Sequence, residues 1–266
     1  MIKTIIGDLH KNCICRIKKK NWSGYVMPIK GNIFQKLTNF QLEKENKKKF
    51  IKVKKTDFLV PFQVNNIIGI GKNFNENYDS KNLKKFKLNP DFFTMNKNAL
   101  IPSGKKTILP HFYRSVLVEG EIGIVIKKKC KNILPKQSGS FILGYVICND
   151  YSGRDLSYLK SDNVLLRKSS DGFLPVGPAV KIGYQKKPFE IKTEINRKKI
   201  QLTNTKQLIL DMENIVSILS NCITLYKNDL ICTGSGLPKP KVKNGDSIKI
   251  EVEGLGNLYS RIVNKK

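Results

Sequence analysis

Apolar residues come in short runs along this chain, separated by lysine-rich polar stretches, and long amphipathic segments are rare. Ile67-Ile-Gly-Ile-Gly71 reads as a buried strand ending in a glycine turn. The pattern predicts further strands over Val116–Ile126, Phe141–Cys148, Pro175–Ile182, Phe189–Ile195, Asp229–Thr233 and Ser247–Val252. A helix or loop is expected over 74–86. One stretch, Thr205–Ser220, has helical periodicity: its apolar positions 208, 212, 215, 216 and 219 share one helical face. Many short strands with few helices predict a mainly β or α+β fold rather than a βαβ layout.

Residues 1–57 are broken by the lysine clusters Lys18–Lys20, Lys47–Lys49 and Lys54–Lys55, and predict a small N-terminal β-unit. Asp57-Phe-Leu-Val-Pro-Phe62 reads as a connector, and 58–266 as one larger domain. A chain of 266 residues buries a sizeable core. No apolar run reaches the roughly 18 residues of a membrane span, so no membrane partner is expected. Met1–His10 has too short an apolar stretch, and too early an Asp, for a signal peptide. The six cysteines are scattered, and Cys13-Ile-Cys15 has the wrong spacing for a redox or zinc pair. Reduced thiols and a cytoplasmic location are the expectation.

The net charge of +28 raises the question of nucleic acid. Six of the 49 basic residues are Arg and the other 43 are Lys, spread along the whole chain beside abundant Asn and Ile. Those three residues are what an A/T-rich genome encodes. Sequence-specific recognition uses arginine forks and interleaved aromatics instead. The charge therefore predicts weak polyanion binding and no specific nucleic-acid partner.

The chemistry concentrates elsewhere. Residues i and i+2 of a strand project from one face, so Glu119 and Glu121 of Glu119-Gly-Glu121 can reach one point. Asp150, in Val146-Ile-Cys-Asn-Asp-Tyr-Ser-Gly-Arg-Asp155, ends another apolar strand and can close on that point. Three oxygen ligands suit Mg²⁺, Mn²⁺ or Ca²⁺ rather than zinc. Lys168-Ser-Ser-Asp-Gly-Phe-Leu-Pro-Val-Gly-Pro178 has a tightly specified backbone, and a lysine held there would neutralise a substrate carboxylate or enolate. Arg154 offers either a fork to a substrate carboxylate or a surface salt bridge to Asp155. The turn Thr233-Gly234-Ser235 presents N–H groups and hydroxyls able to hold an oxyanion. With only His10 and His111 present, a multi-histidine metal site and a Ser-His-Asp triad are both disfavoured.

Taken in order, these segments resemble the fumarylacetoacetate hydrolase superfamily. Its G-x-N-Y motif is similar to Gly71-Lys-Asn-Phe74, its E-x-E to Glu119-Gly-Glu121, and its N-D-x-x-x-R-D to Asn149–Asp155. Lys168–Pro178, Thr224–Ser235 and Gly245–Leu258 match three further motifs, and the likeness runs over about residues 58–263. The resemblance implies a mixed β-sandwich roll, usually a homodimer, with Mg²⁺ or Mn²⁺ on Glu119, Glu121 and Asp150. It implies a small anionic 2-oxo acid or its enol as substrate. Lys168 then assists beside the metal, and Arg154, Asp171, Phe74, Thr233, Gly234 and Ser235 contact the substrate. Asp171-Gly-Phe173 and Cys148-Asn-Asp-Tyr151 look most like the 2-hydroxyhepta-2,4-diene-1,7-dioate isomerase and 5-oxopent-3-ene-1,2,5-tricarboxylate decarboxylase branch.

The chain departs from the family where N-Y-x-x-H-x-x-E supplies a His and a Glu for water activation: the corresponding positions hold Asn77 and Ser80. Glu76 and Asp79 each stand one residue short and are the candidate replacement bases. Gly236 also takes the place of the usual Pro after T-G-T. A divalent-metal enzyme that isomerises or decarboxylates a 2-oxo or 2-hydroxydienoic acid is therefore expected ahead of a C–C hydrolase of acylpyruvate or fumarylacetoacetate type. A catalytically weakened family member that binds a metabolite or polyanion is the third alternative.

Overall fold

The computed structural model describes residues 1–40, 49–77, 79, 82–83, 89–156 and 163–264. The N-terminal strands are β1 (Ile2–Thr4), β2 (Gly7–Leu9), β3 (Cys13–Lys19), β4 (Trp22–Lys30), β5 (Ile33–Leu37) and β6 (Phe50–Lys52). They are followed by β7 (Ile67–Gly71), β8 (Asp91–Met95), β9 (Leu100–Pro102), β10 (Lys106–Leu109), β11 (Tyr113–Leu117), β12 (Gly120–Ile126), β13 (Ile142–Asn149) and β14 (Ser152–Leu156). Helix α1 (Val164–Lys168) leads into β15 (Leu174–Val176), β16 (Ala179–Ile182), β17 (Glu190–Ile195) and β18 (Lys198–Asn204). After helix α2 (Met212–Cys222) come β19 (Leu230–Cys232), β20 (Lys241–Val242), β21 (Ser247–Val252) and β22 (Gly256–Asn264).

A long mixed sheet runs in the order β6-β5-β4-β3-β16-β13-β12-β19-β7-β8, with β15 and β9 attached beside β13. A five-stranded sheet, β10-β22-β21-β17-β18, faces it, and smaller sheets join β14-β11-β20 and β1-β2. This is the mainly β, mixed-sheet architecture that the short apolar runs predict. The N-terminal strands β3–β6 extend the long sheet through β16, where Val180 pairs with Ile14. Among the described residues, no helix is long and apolar enough to cross a membrane.

Strand β12 is buried over its whole length, and its side chains alternate between two cores. Ile122, Ile124 and Ile126 pack with Tyr145 and Ile147 of β13, and with Ile191, Ile250 and Leu258 of the facing sheet. Ile215, Val216 and Leu219 of α2 close the same core. On the opposite face Val125 packs with Val146, Cys148, Leu230 and Cys232. Each fully buried side chain of this size contributes roughly 1.5–3 kcal/mol. Glu119 and Glu121 share the parity of Val125, so they continue the second face at the strand's N-terminal end.

Three expectations need correction. The strand predicted over Val116–Ile126 is two strands, β11 and β12, and Glu119 sits in the link between them. The strand over Pro175–Ile182 likewise divides into β15 and β16 at Gly177-Pro178. The helix predicted from Thr205 starts at Met212, capped by the Asp211 carboxylate, which accepts from the Asn214 N–H. Thr205–Gln207 form a 3-10 turn, and residues 208–210 stay out of the helix because Asn73 claims their backbone: its Oδ1 accepts from Leu210 N, its Nδ2 donates to Leu210 O, and its own carbonyl accepts from Ile209 N. In the stretch 74–86, the residues Asn75–Asn77 form a 3-10 turn.

Candidate metal and active site

The carboxylate cluster is a product of register. Antiparallel pairing of Gly120 with Asn149 and of Glu121 with Cys148 lays the end of β13 beside the start of β12. The Asp150 N–H then donates to the Glu119 carbonyl at 2.9 Å, and the Asn149 side-chain oxygen accepts from the Glu119 N–H at 3.2 Å. One carboxylate oxygen from each of Glu119, Glu121 and Asp150 falls within 4.8 Å of the others. All three side chains are buried.

Two ammonium groups face this cluster. Asn163 caps α1 by accepting from the Leu165 and Leu166 N–H groups, which places Lys168 at the helix end with its side chain buried. Its Nζ lies 2.6 Å from Asp150 Oδ2, 3.2 Å from the Asp150 carbonyl and 3.3 Å from Glu119 Oε1. Lys239 approaches from the other side, 3.0 Å from Glu119 Oε2. The turn after β19 adds neutral donors: Gly234 N–H to Glu121 Oε2 at 2.8 Å and Ser235 Oγ to Glu119 Oε2 at 3.4 Å. Gly234 has φ +89°, and a Cβ there would press on Asn73 and the Ile70 carbonyl at 3.1 Å, so glycine is what lets its N–H reach the carboxylate.

The titration of the cluster follows from these neighbours. Burial would raise the Glu119 carboxyl, but Lys168 and Lys239 outweigh it and hold it down at about 2. Burial pushes Asp150 up to about 6, with repulsion from Glu119 adding to it against the pull of Lys168. Glu121 is raised further still by burial and by Asp150. Burial opposes the charge on Lys168, yet Asp150, Glu119 and Glu121 together raise its pKa and keep it protonated. Such opposed shifts in one cluster are typical of functional sites.

The residues present fit a hard divalent cation. Three buried oxygen donors converge, and Asp150 Oδ1 is buried without a hydrogen-bond partner among the described residues. A lone pair withheld from both water and protein is suited to a cation.

A cavity of about 250 Å³ opens over Glu119 and Asp150. Lys72, Arg154, Arg167, Lys168 and Lys239 all line it, so its wall is cationic around the carboxylates. Lys72 holds a left-handed backbone, φ 56°, at the turn after β7, an uncommon conformation for a non-glycine residue. A larger groove of about 450 Å³ lies between Tyr184–Pro188 and the start of α2, and it shares no residue with the cluster.

The structure gathers some of the expected site residues and leaves others apart. Glu119, Glu121, Asp150, Lys168, Gly234 and Ser235 meet at the cluster, and Arg154 lines the cavity. Thr233 is buried behind it, its hydroxyl donating to the Ile122 carbonyl and its own carbonyl accepting from Asn73. Phe74 is fully buried in a bridge to Leu208, and does not line the cavity. Asp171 is exposed and accepts from the Asn98 amide instead of facing the cavity. Glu76 accepts from the Leu237 N–H, on the loop that carries Gly234 and Ser235. Both Asp79 oxygens are taken by Asn82. Ser80 and the Asn77 side chain lie outside the described residues.

Lys239 is the functional residue that sequence reasoning misses. One lysine among 43 carries no signal of its own. The available clue was its place between two prolines, Pro238-Lys239-Pro240, directly after a turn already singled out.

Comparison with known proteins agrees with this arrangement. Residues 66–263 match the model of the fumarylacetoacetate (FAA) hydrolase C-terminal family. The mitochondrial oxaloacetate tautomerase Fahd2a of Rattus norvegicus is 29% identical over 217 residues, covering 77% of this chain and 69% of that protein. The crystal structure of 5-carboxymethyl-2-hydroxymuconate delta-isomerase from Mycobacterium smegmatis superposes with TM-score 0.81 at 27% identity, covering 96% of this chain and 99% of that one. The 2-hydroxyhepta-2,4-diene-1,7-dioate isomerase from Mycobacterium marinum gives TM-score 0.82 at 26% identity, covering 95% and 98%.

Proposed function

Because the chain belongs to the fumarylacetoacetate hydrolase family, we propose that it is a divalent-cation-dependent enzyme that isomerises, tautomerises or decarboxylates a small 2-oxo acid. The observation that carries this reading is the cluster of Glu119, Glu121 and Asp150, their oxygens within 4.8 Å, opening into a cavity lined by cations. A Mg²⁺ or Mn²⁺ ion held by these three residues supplies Lewis-acid stabilisation of developing negative charge. The chain's own residues do the remaining work. Arg154 offers a planar fork to a substrate carboxylate. Lys168, buried and held protonated, neutralises charge beside the carboxylates. The names of the similar isomerases and tautomerase support this chemistry.

Hydrolysis of a C–C bond needs a base to activate water. The two carboxylates nearest the family's missing His and Glu are already engaged, Glu76 by Leu237 N–H and Asp79 by Asn82. Acylpyruvate hydrolysis is the second reading, favoured by one observation: Glu76 touches the very loop that carries Gly234 and Ser235. The proposal includes a homodimer as the assembly, to be checked by light scattering.

The test is a panel of 2-oxo acids, oxaloacetate among them, assayed with and without Mg²⁺ in wild type and Glu121→Ala. Metal-dependent tautomerisation or decarboxylation, lost in the variant, is expected. Turnover that ignores both the metal and Glu121 would reject the proposal.

A further inference from the structure

Glu119 carries two ammonium groups, and they are anchored very differently. Lys168 on Oε1 is buried, and also bonds the Asp150 carboxylate and carbonyl. Lys239 on Oε2 has 17% of its side chain exposed and stands in the cavity wall. The backbone on either side of Lys239 is fastened. The Pro238 carbonyl accepts from Gln201 Nε2 at 2.8 Å, and the Pro240 carbonyl accepts from Val118 N at 2.9 Å. The long side chain is thus the movable part, on a fixed base.

Charge says when it moves. Lys239 pairs with Glu119, which is also one of the three oxygen donors of the cluster. A divalent cation on that carboxylate repels both ammonium groups, and Lys239, the partly exposed one, is the one with room to turn toward the cavity. There it joins Lys72 and Arg154 on the wall.

We propose that Lys239 is a built-in counter-ion of the carboxylate cluster: it competes with the divalent cation for Glu119, and once displaced it binds the carboxylate of the substrate. Cation and anion then bind cooperatively, each raising the other's affinity by the same factor. Lys239 offsets the charge of Glu119 until the cation takes that carboxylate, and only then becomes a substrate-binding group. This inference rests on the cation-dependent reading above and adds the coupling to it.

Calorimetric titration of Mn²⁺ into wild type, Lys239→Met and Lys239→Arg, each with and without oxamate, tests it. Oxamate is a weakly chelating mimic of a 2-oxo acid. Without oxamate, Lys239→Met should bind Mn²⁺ about tenfold more tightly than wild type, the scale of removing one unit charge at a half-buried site. Oxamate should tighten Mn²⁺ binding in wild type and in Lys239→Arg, which keeps the charge, and clearly less in Lys239→Met, where only direct chelation remains. Melting temperatures near wild type in both variants establish that they fold. Mn²⁺ affinity and oxamate coupling equal in wild type and Lys239→Met would overturn the inference while leaving the cation-dependent reading standing. Failure of wild type to bind Mn²⁺ at all would overturn both.

Discussion

The Glu76 carboxylate occupies the space in which a Cβ on Gly236 would stand, and there it accepts the Leu237 N–H. A side chain at 236 and this placement of Glu76 exclude each other. The proline usual after T-G-T in the resembled family is therefore incompatible with the arrangement seen. Gly236→Ala should destabilise the protein by about 1–3 kcal/mol, the usual cost of overpacking. Glu76→Ala in the same chain should recover part of that loss, since Thr203 Cγ2 would still stand 2.7 Å from the new Cβ. A double-mutant cycle by thermal denaturation measures the coupling, and additive effects would contradict it.

Glu121 accepts a backbone N–H from Gly234 and, among the described residues, forms no ion pair with a lysine or arginine. In the proposed reading it serves the cluster as an oxygen donor. Glu121→Ala should weaken Mg²⁺ or Mn²⁺ binding by about 100-fold or more, since even residues behind the ligands are worth 10–100-fold. Asp150→Asn, which keeps the shape and removes the charge, should do nearly as much. Calorimetry on the purified variants decides it, and wild-type affinity in either would count against the assignment.

The metal-free cluster should make stability depend on pH with a definite sign. Burial raises Asp150 to about 6 from 3.8, and raises Glu121 as well. Carboxyls whose folded pKa lies above the unfolded value contribute stability that is complete below pH ~4 and lost as pH rises through about 6. A divalent cation replaces the proton as the group that offsets the repulsion. The gain in melting temperature from Mg²⁺ should accordingly grow between pH 5 and 8. A gain that shrinks over that range would be the opposite of what the cluster requires.

Asn77→His together with Ser80→Glu restores the residues that the resembled family uses to activate water. General-base assistance is typically worth about 10²–10⁴-fold. Acylpyruvate hydrolysis should rise toward that range while tautomerisation changes little. Lys168→Ala should depress every activity, because its ammonium neutralises Asp150 and Glu119. Efficient hydrolysis by wild type, abolished by Glu76→Gln, would show instead that the base has moved along the loop.

Gln201 is buried and donates to both the Gly236 and Pro238 carbonyls at 2.8 Å, while its own oxygen accepts from Thr193. It secures the loop that carries Gly234, Ser235 and Lys239. Gln201→Leu leaves the buried Gly236 carbonyl short of a donor, at about 1–3 kcal/mol, and unfastens the Pro238 carbonyl. Besides a lower melting temperature, the variant should bind Mn²⁺ more weakly, which a purely structural fault far from the site would not cause.

How much of this could be read in advance depends on the range of the forces involved. The E-x-E pair was legible because a strand's two-residue period places Glu119 and Glu121 on one face whatever else happens. Asp150 and Lys168 were legible as members of tightly patterned segments. The helix boundary was not: apolar spacing carries on through Leu208, and the hydrogen bonds between Leu210 and Asn73, 137 residues earlier, hold this stretch out of the helix. The break between β11 and β12 was hidden for a similar reason, since the apolar run Val116–Val118 carries straight on to Glu119 while Val118 N–H bonds the Pro240 carbonyl. Phe74 and Asp171 stood in recognisable motifs, yet a motif does not say which of its members face the cavity. Gln201 and Lys239 act through partners distant in sequence, and neither residue type stands out locally.

Asn73 also has a bearing on how the protein is made. Its amide waits for the Thr233 carbonyl, 160 residues downstream, while Gly234 answers Glu121 across 113 residues and Lys239 answers Glu119 across 120. A ribosome releases the acidic residues long before these partners emerge. Lys168, only 18 residues behind Asp150, gives the nascent segment its first neutralising charge. The pocket closes only when the last part of the chain has been synthesised. Contacts so far apart in sequence fold slowly. A prematurely terminated product ending before Thr233 therefore carries the carboxylates without the loop that organises them.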